Sequence, residues 1–373
     1  MAHAPRPFRL QIPEAALREL KERLARTRWP DEPPLEPWST GTSLAYAKEL
    51  CDYWRTRFDW RAWEAKLNAF PQFMLPLRGI ELHFIHARSE NPRALPLLLS
   101  HGWPGSVFEF HKLIPLLAED FHVVAPSLPG YGLSFQPGQP RFGVEEIAQC
   151  FAELMGQLGY ERFGAQGGDW GAFISTVLGH RYPERIIGIH LNLLAVRREL
   201  DALKNPTPEE QQFLQELRHW SAEDTGYQWI QGTRPQTLAF GLSDSPAGLA
   251  AWIAEKFRAW SDCGGVIENA ISRDELLANI SLYWFTGAIG SSFWPYYARR
   301  HGPWPVPEGQ SVRVPMAYAD FPKEILRPPR SVAQRMYTDI RRWTPMPRGG
   351  HFAALEQPGL LARDVREFFR GLP

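Results

Sequence analysis

The stretch "GAQGGDWGAF", residues 164–173, constrains what this chain can fold into more than any other. A weak strand, "ERFGAQGG", runs into a turn in which Gly167 and Gly171 flank Asp169 with the spacing G-x-D-x-G. Glycines at those two positions allow a turn so tight that strand and helix nearly touch, and the side chain between them stands clear of the backbone. A turn of this kind belongs at the end of a strand, with a helix following it. The rest of the chain should therefore supply a sheet and its covering helices.

The pattern along the chain agrees. From about residue 71, "IELHFIHA", "LPLLLS", "FHVVAPS", "ERFGAQGG" and "IIGIHLNLL" read as short strands closed by Gly/Pro turns, and helical stretches such as "VEEIAQCFAELMGQLG" separate the later ones. This rhythm predicts a mostly parallel sheet covered by helices on both faces. "VRVPMAYA" and "IRRWTPMP" add two further strands, and "PGLLARDVREFFRGL" closes the chain as an amphipathic helix with Leu361, Val365, Phe368 and Phe369 on one side. Between Asn192 and Arg313 the strand rhythm stops. Helices there start at Thr207-Pro208 with Glu210, at Ser245-Pro246, and at Ser272 with Glu275, the first and last as capping boxes. A helical insertion of this size predicts a lid over the sheet's carboxyl edge. The N-terminal stretch reads as helices: "PEAALRELKERLART" spaces Leu17, Leu20 and Leu24 helically, and "AYAKELCDYWRTRFDWRAWEAKLNAF" follows a Pro-rich connector. The expected division is an N-terminal helical extension at 1–70, a core at 71–195 and 306–373, and a lid at 196–305.

Chemistry concentrates at strand ends. Asp169 occupies the place of the serine in the G-x-S-x-G turn of α/β-hydrolase esterases. Glu324, in "AYADFPKEI", follows the first strand after the lid, and His351, in "RGGHFAALEQP", follows the last. Taken singly, Asp169 reads as a helix cap, Glu324 as a surface carboxylate and His351 as a loop histidine. Together they run nucleophile, acid, histidine, the chain order of this fold's triad. "LLLSHGWPGSVFEF" supplies a turn whose Trp103 N–H, with that of Trp170 after Asp169, could form an oxyanion hole. His101 reads as a residue that fixes the turn by hydrogen bonding. No H-E-x-x-H or phosphate-loop motif occurs, and His83 and His86 fall on opposite faces of one strand, so neither metal nor cofactor is expected.

The aspartate changes the chemistry. A serine must lose a proton and attacks an acyl carbon, whereas a carboxylate is already ionised at neutral pH and can attack a saturated carbon directly. The product is an ester on Asp169. His351, oriented by Glu324, is then needed only to activate the water that hydrolyses it. Substrates with a leaving group on an alkyl carbon fit this description, either epoxides or haloalkanes. An epoxide oxygen needs a strong O–H donor as it leaves, and a halide needs only weak N–H donors.

Lys+Arg and Asp+Glu both number 41, which offers no field for nucleic acid or anionic lipid. The 3 cysteines are scattered, which favours a reducing compartment, and the sequence carries neither a signal-peptide pattern nor a membrane span. A soluble, cytoplasmic protein is expected. Aromatic residues reach 13%, with 15 Trp, as either ordinary core or the lining of an apolar pocket. Oligomeric state is open, a symmetric homodimer being a common form.

Over nearly its whole length the chain resembles the microsomal-type epoxide hydrolases. The likeness lies in "RWPDEP", "FPQF", "HGWPGS", "GGDWG", "GLSDSPAGLAAWIAEKF", "FPKE" and "RGGHFAALEQP". It implies an α/β-hydrolase fold, an N-terminal meander wrapped around core and lid, and a small apolar epoxide and water as the substrates. It implies Asp169 as nucleophile, His351 as general base and Glu324 as the triad acid, with Asp320 as the less favoured acid. It also implies two lid tyrosines that donate to the epoxide oxygen, Tyr227 and Tyr296, with Tyr297 adjacent as the alternative. A haloalkane or haloacid dehalogenase is the competing enzyme, and a non-catalytic binding protein of the same fold the competing class.

Overall fold

In a computed structural model that describes residues 4–196 and 203–372, the apolar runs assemble into one sheet. Residues 197–202, at the start of the expected lid, and the first three residues of the expected N-terminal extension lie outside the described chain. Among the described residues the strands are β1 (Arg6–Phe8), β2 (Gln72–Leu77), β3 (Ile80–Ala87), β4 (Leu95–Ser100), β5 (Phe121–Pro126), β6 (Phe163–Gly167), β7 (Ile186–Leu191), β8 (Met316–Asp320) and β9 (Ile340–Pro345). Their spatial order is β1-β2-β3-β5-β4-β6-β7-β8-β9. From β5 to β9 the neighbours are parallel, and β1, β2 and β3 join antiparallel at one side.

The central strands are continuously apolar because both faces are covered. Leu97, Leu99, Val123 and Ala125 face the Leu113–Leu117 and Pro358–Arg370 helices, in one cluster with Leu113, Leu117, Leu361, Val365 and Phe368. The intervening Leu98 and Val124 face the other way, into a cluster with Ile147 and Phe151 of the Val144–Gln157 helix and Ile174 and Val177 of the Trp170–Arg181 helix. The period-two alternation of side chains distributes the two sets.

Two strands were not anticipated. β1 has 3 residues, too few for a pattern. β2 contains Pro76, which argues against an interior strand, yet β1 reaches only Gln72–Met74, so Pro76 sits where β2 is an edge. Arg78 and Gly79, at φ 53° and 80°, close the β2–β3 hairpin as a two-residue turn with left-handed central residues. The second N-terminal helical region is two helices, Leu44–Thr56 and Trp60–Asn68, the latter capped by Asp59 accepting from the Ala62 N–H. This N-terminal segment packs on the lid. Trp54 donates to Ser281 at 3.0 Å, Tyr53 to Asp274 at 2.9 Å, and Trp60 meets Phe285 edge to face. The lid helices begin where the caps predict, at Pro208, Pro246 and Arg273. No helix among the described residues is long and apolar enough to cross a membrane.

Candidate active site

The parallel strands deliver the site at their carboxyl ends, where open α/β sheets place their ligand crevices. Ser100, at the end of β4, pairs with Gly167, at the end of β6, so the His101–Gly105 turn emerges beside Asp169. Asp169 itself has φ 47° and ψ −128°, a strained conformation for a residue with a side chain. It is sustained by close packing: a Cβ on Gly171 would lie 1.8 Å from the Ser100 carbonyl oxygen. Gly102 likewise leaves room for the Asp169 carboxylate.

The Trp103 N–H donates to Asp169 Oδ1 at 2.8 Å. His101 accepts from the Leu128 N–H at 3.1 Å, so it fixes the turn as expected. From the lid, Asn279 donates to the Pro104 carbonyl at 2.7 Å and Tyr283 to that of Gly105 at 2.6 Å. Trp170 heads the helix after Asp169, but among the described residues its N–H forms no bond to the carboxylate.

On the other oxygen, His351 Nε2 lies 3.4 Å from Asp169 Oδ2. His351 Nδ1 lies 2.6 Å from Glu324 Oε1, which also accepts from the Ile325 N–H at 2.7 Å. The loops carrying the pair are tied together by a bridge between Lys323 and Gly350, and the His351 N–H donates to the Trp260 carbonyl. Burial pushes the imidazole down, but the Glu324 and Asp169 carboxylates outweigh it and hold His351 well above its ordinary range. Asp320 is engaged elsewhere, in a two-pronged ion pair with Arg327 at 2.6 and 2.9 Å.

Above Asp169 a cavity of about 430 Å³ opens under the lid, lined by Trp170, Phe173, Leu194, Phe213, Tyr227 and Tyr296 among others. The rings of Tyr227 and Tyr296 are 5.8 Å apart. Tyr227 lies flat against Trp103, and Tyr296 meets Trp170 edge-on at 4.7 Å. Gln228 donates to the Tyr227 oxygen at 2.9 Å, which leaves the phenol's own proton available. Tyr297 stacks instead on Trp294, with His301 tilted against it, and does not line the cavity.

Beside Asp169 lies a second, small pocket of about 20 Å³, room for a single water. Its walls include Asp169, His351, Glu109, Gln166 and Asn192. Burial pushes the Glu109 carboxyl up to about 8, and Gln166 Oε1 is buried without a partner. Neither residue was singled out from the sequence. A Cβ on Gly105 would collide with the Glu109 carboxylate, a contact that only the folded chain reveals. Glu356 was missed too. It accepts from the N–H groups of Asp262, Gly350 and Phe352 and so locks the His351 loop to the lid. No cluster of three metal-ligating side chains occurs among the described residues.

A parallel sheet with an aspartate on a strained strand-to-helix turn, faced by a histidine–carboxylate pair, defines an α/β hydrolase. Residues 5–110 match the family described as epoxide hydrolase N terminus, and residues 96–225 match the alpha/beta hydrolase fold. A relative from Stigmatella aurantiaca is 47% identical over 98% of this chain and 85% of its own. Epoxide hydrolase 1 of Oryctolagus cuniculus is 36% identical over 97% of this chain and 88% of its own. The crystal structure of juvenile hormone epoxide hydrolase from the silkworm Bombyx mori superposes with a TM-score of 0.89 at 34% identity, covering 98% of this chain and 95% of that one. The chain belongs to the epoxide hydrolases of the α/β-hydrolase fold.

Proposed function

We propose that this enzyme opens small apolar epoxides through an ester on Asp169 and releases them as vicinal diols. Trp103 holds Oδ1, so Oδ2 attacks a ring carbon. The C–O electron pair of that carbon goes to the ring oxygen, which takes a proton from Tyr227 or Tyr296. His351 then removes a proton from water attacking the ester carbon, and the negative charge falls on Oδ1 against the Trp103 N–H, joined by that of Trp170. Glu324 steadies the resulting imidazolium, which gives that proton to the leaving diol oxygen as the intermediate collapses and the bond from the Asp169 carboxyl carbon to that oxygen breaks. The water belongs in the small pocket, where neutral Glu109 donates a hydrogen bond and Gln166 Oε1 accepts one. The lid (196–305), core (71–195 and 306–373) and wrapping segment (1–70) act as the parts of one catalytic unit. Three buried free cysteines support the cytoplasmic setting expected from the sequence.

The charge on Asp169 gives the two steps their order. In the free enzyme that carboxylate is one of the groups that strengthen the hold of His351 on a proton. Ester formation removes its charge, so the buried imidazole has a weaker hold on its proton; that proton passes to the tyrosinate left by ring opening, which frees Nε2 to act as the base before water attacks.

The observation that carries this reading is the single carboxylate reached from one side by Trp103 and His351 and from the other by a cavity lined by Tyr227, Tyr296 and further aromatic side chains. The test is the intact mass of a His351→Gln variant mixed with aryl and alkyl epoxides and with haloalkanes. An adduct of one whole epoxide on the peptide containing Asp169 is expected. An adduct of an alkyl group without its halogen, or an epoxide adduct on another residue, overturns it.

A further inference from the structure

Lys256 lies on the Pro246–Trp260 helix with its side chain 7% exposed. A helical lysine ordinarily snorkels its ammonium into water. This one turns inward. Nζ sits 4.6 Å from the ring centre of Tyr227 and 5.6 Å from that of Trp260, and its counter-charge is the neighbouring Glu255 at 2.5 Å. The indole of Trp103 is stacked against the same phenol at 5.4 Å with planes 11° apart. The Tyr227 ring thus has an indole flat against it and a buried cation over it. Burial makes the phenol reluctant to part with its proton, and Asp169 and Glu255 add to that reluctance, while the Gln228 amide opposes it. Negative charge grows on the phenol oxygen as its proton moves to the epoxide oxygen, and a cation over the ring stabilises that charge.

We propose that Lys256 is a positioning residue for the ring-opening step, its ammonium over the Tyr227 ring making that phenol a stronger proton donor. The proposal rests on Tyr227 donating to the epoxide oxygen. It assigns to Lys256 an effect on ester formation and none on ester hydrolysis, in which Tyr227 takes no part. Glu255 sets its strength by neutralising the ammonium.

The experiment measures single-turnover ester formation and ester decay with styrene oxide by rapid quench and intact mass. The variants are Lys256→Met, Lys256→Arg and Glu255→Gln, each also combined with Tyr227→Phe, with thermal unfolding as the check on folding. Lys256→Met slows ester formation about tenfold, the size of a desolvated cation over an aromatic ring, and leaves ester decay unchanged. Lys256→Arg recovers most of the loss, and Glu255→Gln speeds ester formation. In the Tyr227→Phe background all three effects vanish. Equal slowing of both steps, or an undiminished effect of Lys256→Met in that background, overturns the proposal alone. If Lys256→Met fails to fold, a Glu255→Gln effect that is absent or survives in Tyr227→Phe overturns it as well. Ester formation untouched by Tyr227→Phe itself overturns the donor role of Tyr227, and the proposal with it.

Discussion

Replacing Glu324 by glutamine separates the two half-reactions. The oxygen that faces His351 Nδ1 at 2.6 Å also accepts from the Ile325 N–H, so an amide fits the space while the charge is lost. With charge centres roughly 4 Å apart, an imidazolium and a carboxylate attract by about 4 kcal/mol in a protein medium of dielectric near 20. His351 carries positive charge while water attacks the ester, so most of that attraction is lost from the second barrier. A loss of about 3–4 kcal/mol is a slowing of roughly a hundred- to a thousandfold. An amide N–H turned toward Nδ1 would also impose the wrong tautomer and deepen the loss. Attack by Asp169 needs no base and is little affected. Rapid-quench intact mass during turnover should then find nearly all the Glu324→Gln protein as ester, and the wild type mostly free. Equal slowing of both steps refutes the reasoning. So does accumulation of ester in Asp320→Asn but not in Glu324→Gln, since Asp320 is spent on Arg327.

Gly171→Ala places a Cβ 1.8 Å from the Ser100 carbonyl oxygen, and neither backbone can yield cheaply. The expected loss is about 3 kcal/mol or more, read by denaturant unfolding; a stability equal to wild type counts against the tightness of this turn. Glu109 stays neutral up to about 8, against an ordinary value of 4.5, so wild-type ester hydrolysis should decline as pH rises through that value and Glu109→Gln should remove the decline. The folded state holds a proton that the unfolded chain has released, so Glu109 costs stability progressively from pH 4.5 to about 8, and the glutamine variant should gain Tm over the wild type across that window. Tyr296→Phe should slow ester formation roughly a hundredfold, the low end for a positioned proton donor. Tyr297→Phe should leave the rate alone, and the reverse ranking in single-turnover measurements would reassign the donor.

What could be read in advance divides by the range of the forces involved. The Asp169 turn is local: three glycines within four residues of it admit few conformations, so G-x-D-x-G was legible at once. The lid helices announced themselves through caps at Thr207, Ser245 and Ser272, each satisfied within a single turn. Glu324 and His351 were legible only as an order of strand ends, because β8 and β9 had to be neighbours before the two side chains could meet. Tyr227 and Tyr296 entered through family resemblance, for nothing in "TGYQWIQ" or "SSFWPYY" says which way a ring points. Glu109, Gln166 and Lys256 had no local signature. Each gains its meaning from a contact across many residues, Glu109 near His351 and Lys256 over Tyr227, and such contacts exist only once the lid and sheet are assembled.

That division bears on how an aspartate can replace a serine in this turn. The surroundings do not by themselves demand a carboxylate: a serine hydroxyl could meet His351, and the Trp103 N–H, which here holds Oδ1, would then face the substrate's oxygen. The carboxylate is stronger as a nucleophile for carbon but brings a permanent charge next to the base. In a serine enzyme the histidine must be neutral at the start; beside Asp169 and Glu324, whose charges outweigh its burial, its hold on a proton is strengthened. On the proposed reading, alkylation of Asp169 removes one of those charges and loosens that hold. A protonated histidine also cannot activate water prematurely in the unloaded site. With Asp169 as the proposed nucleophile, the charge that makes it reactive also strengthens the hold of His351 on its proton until the ester forms, so electrostatics favours the proposed order of the two steps.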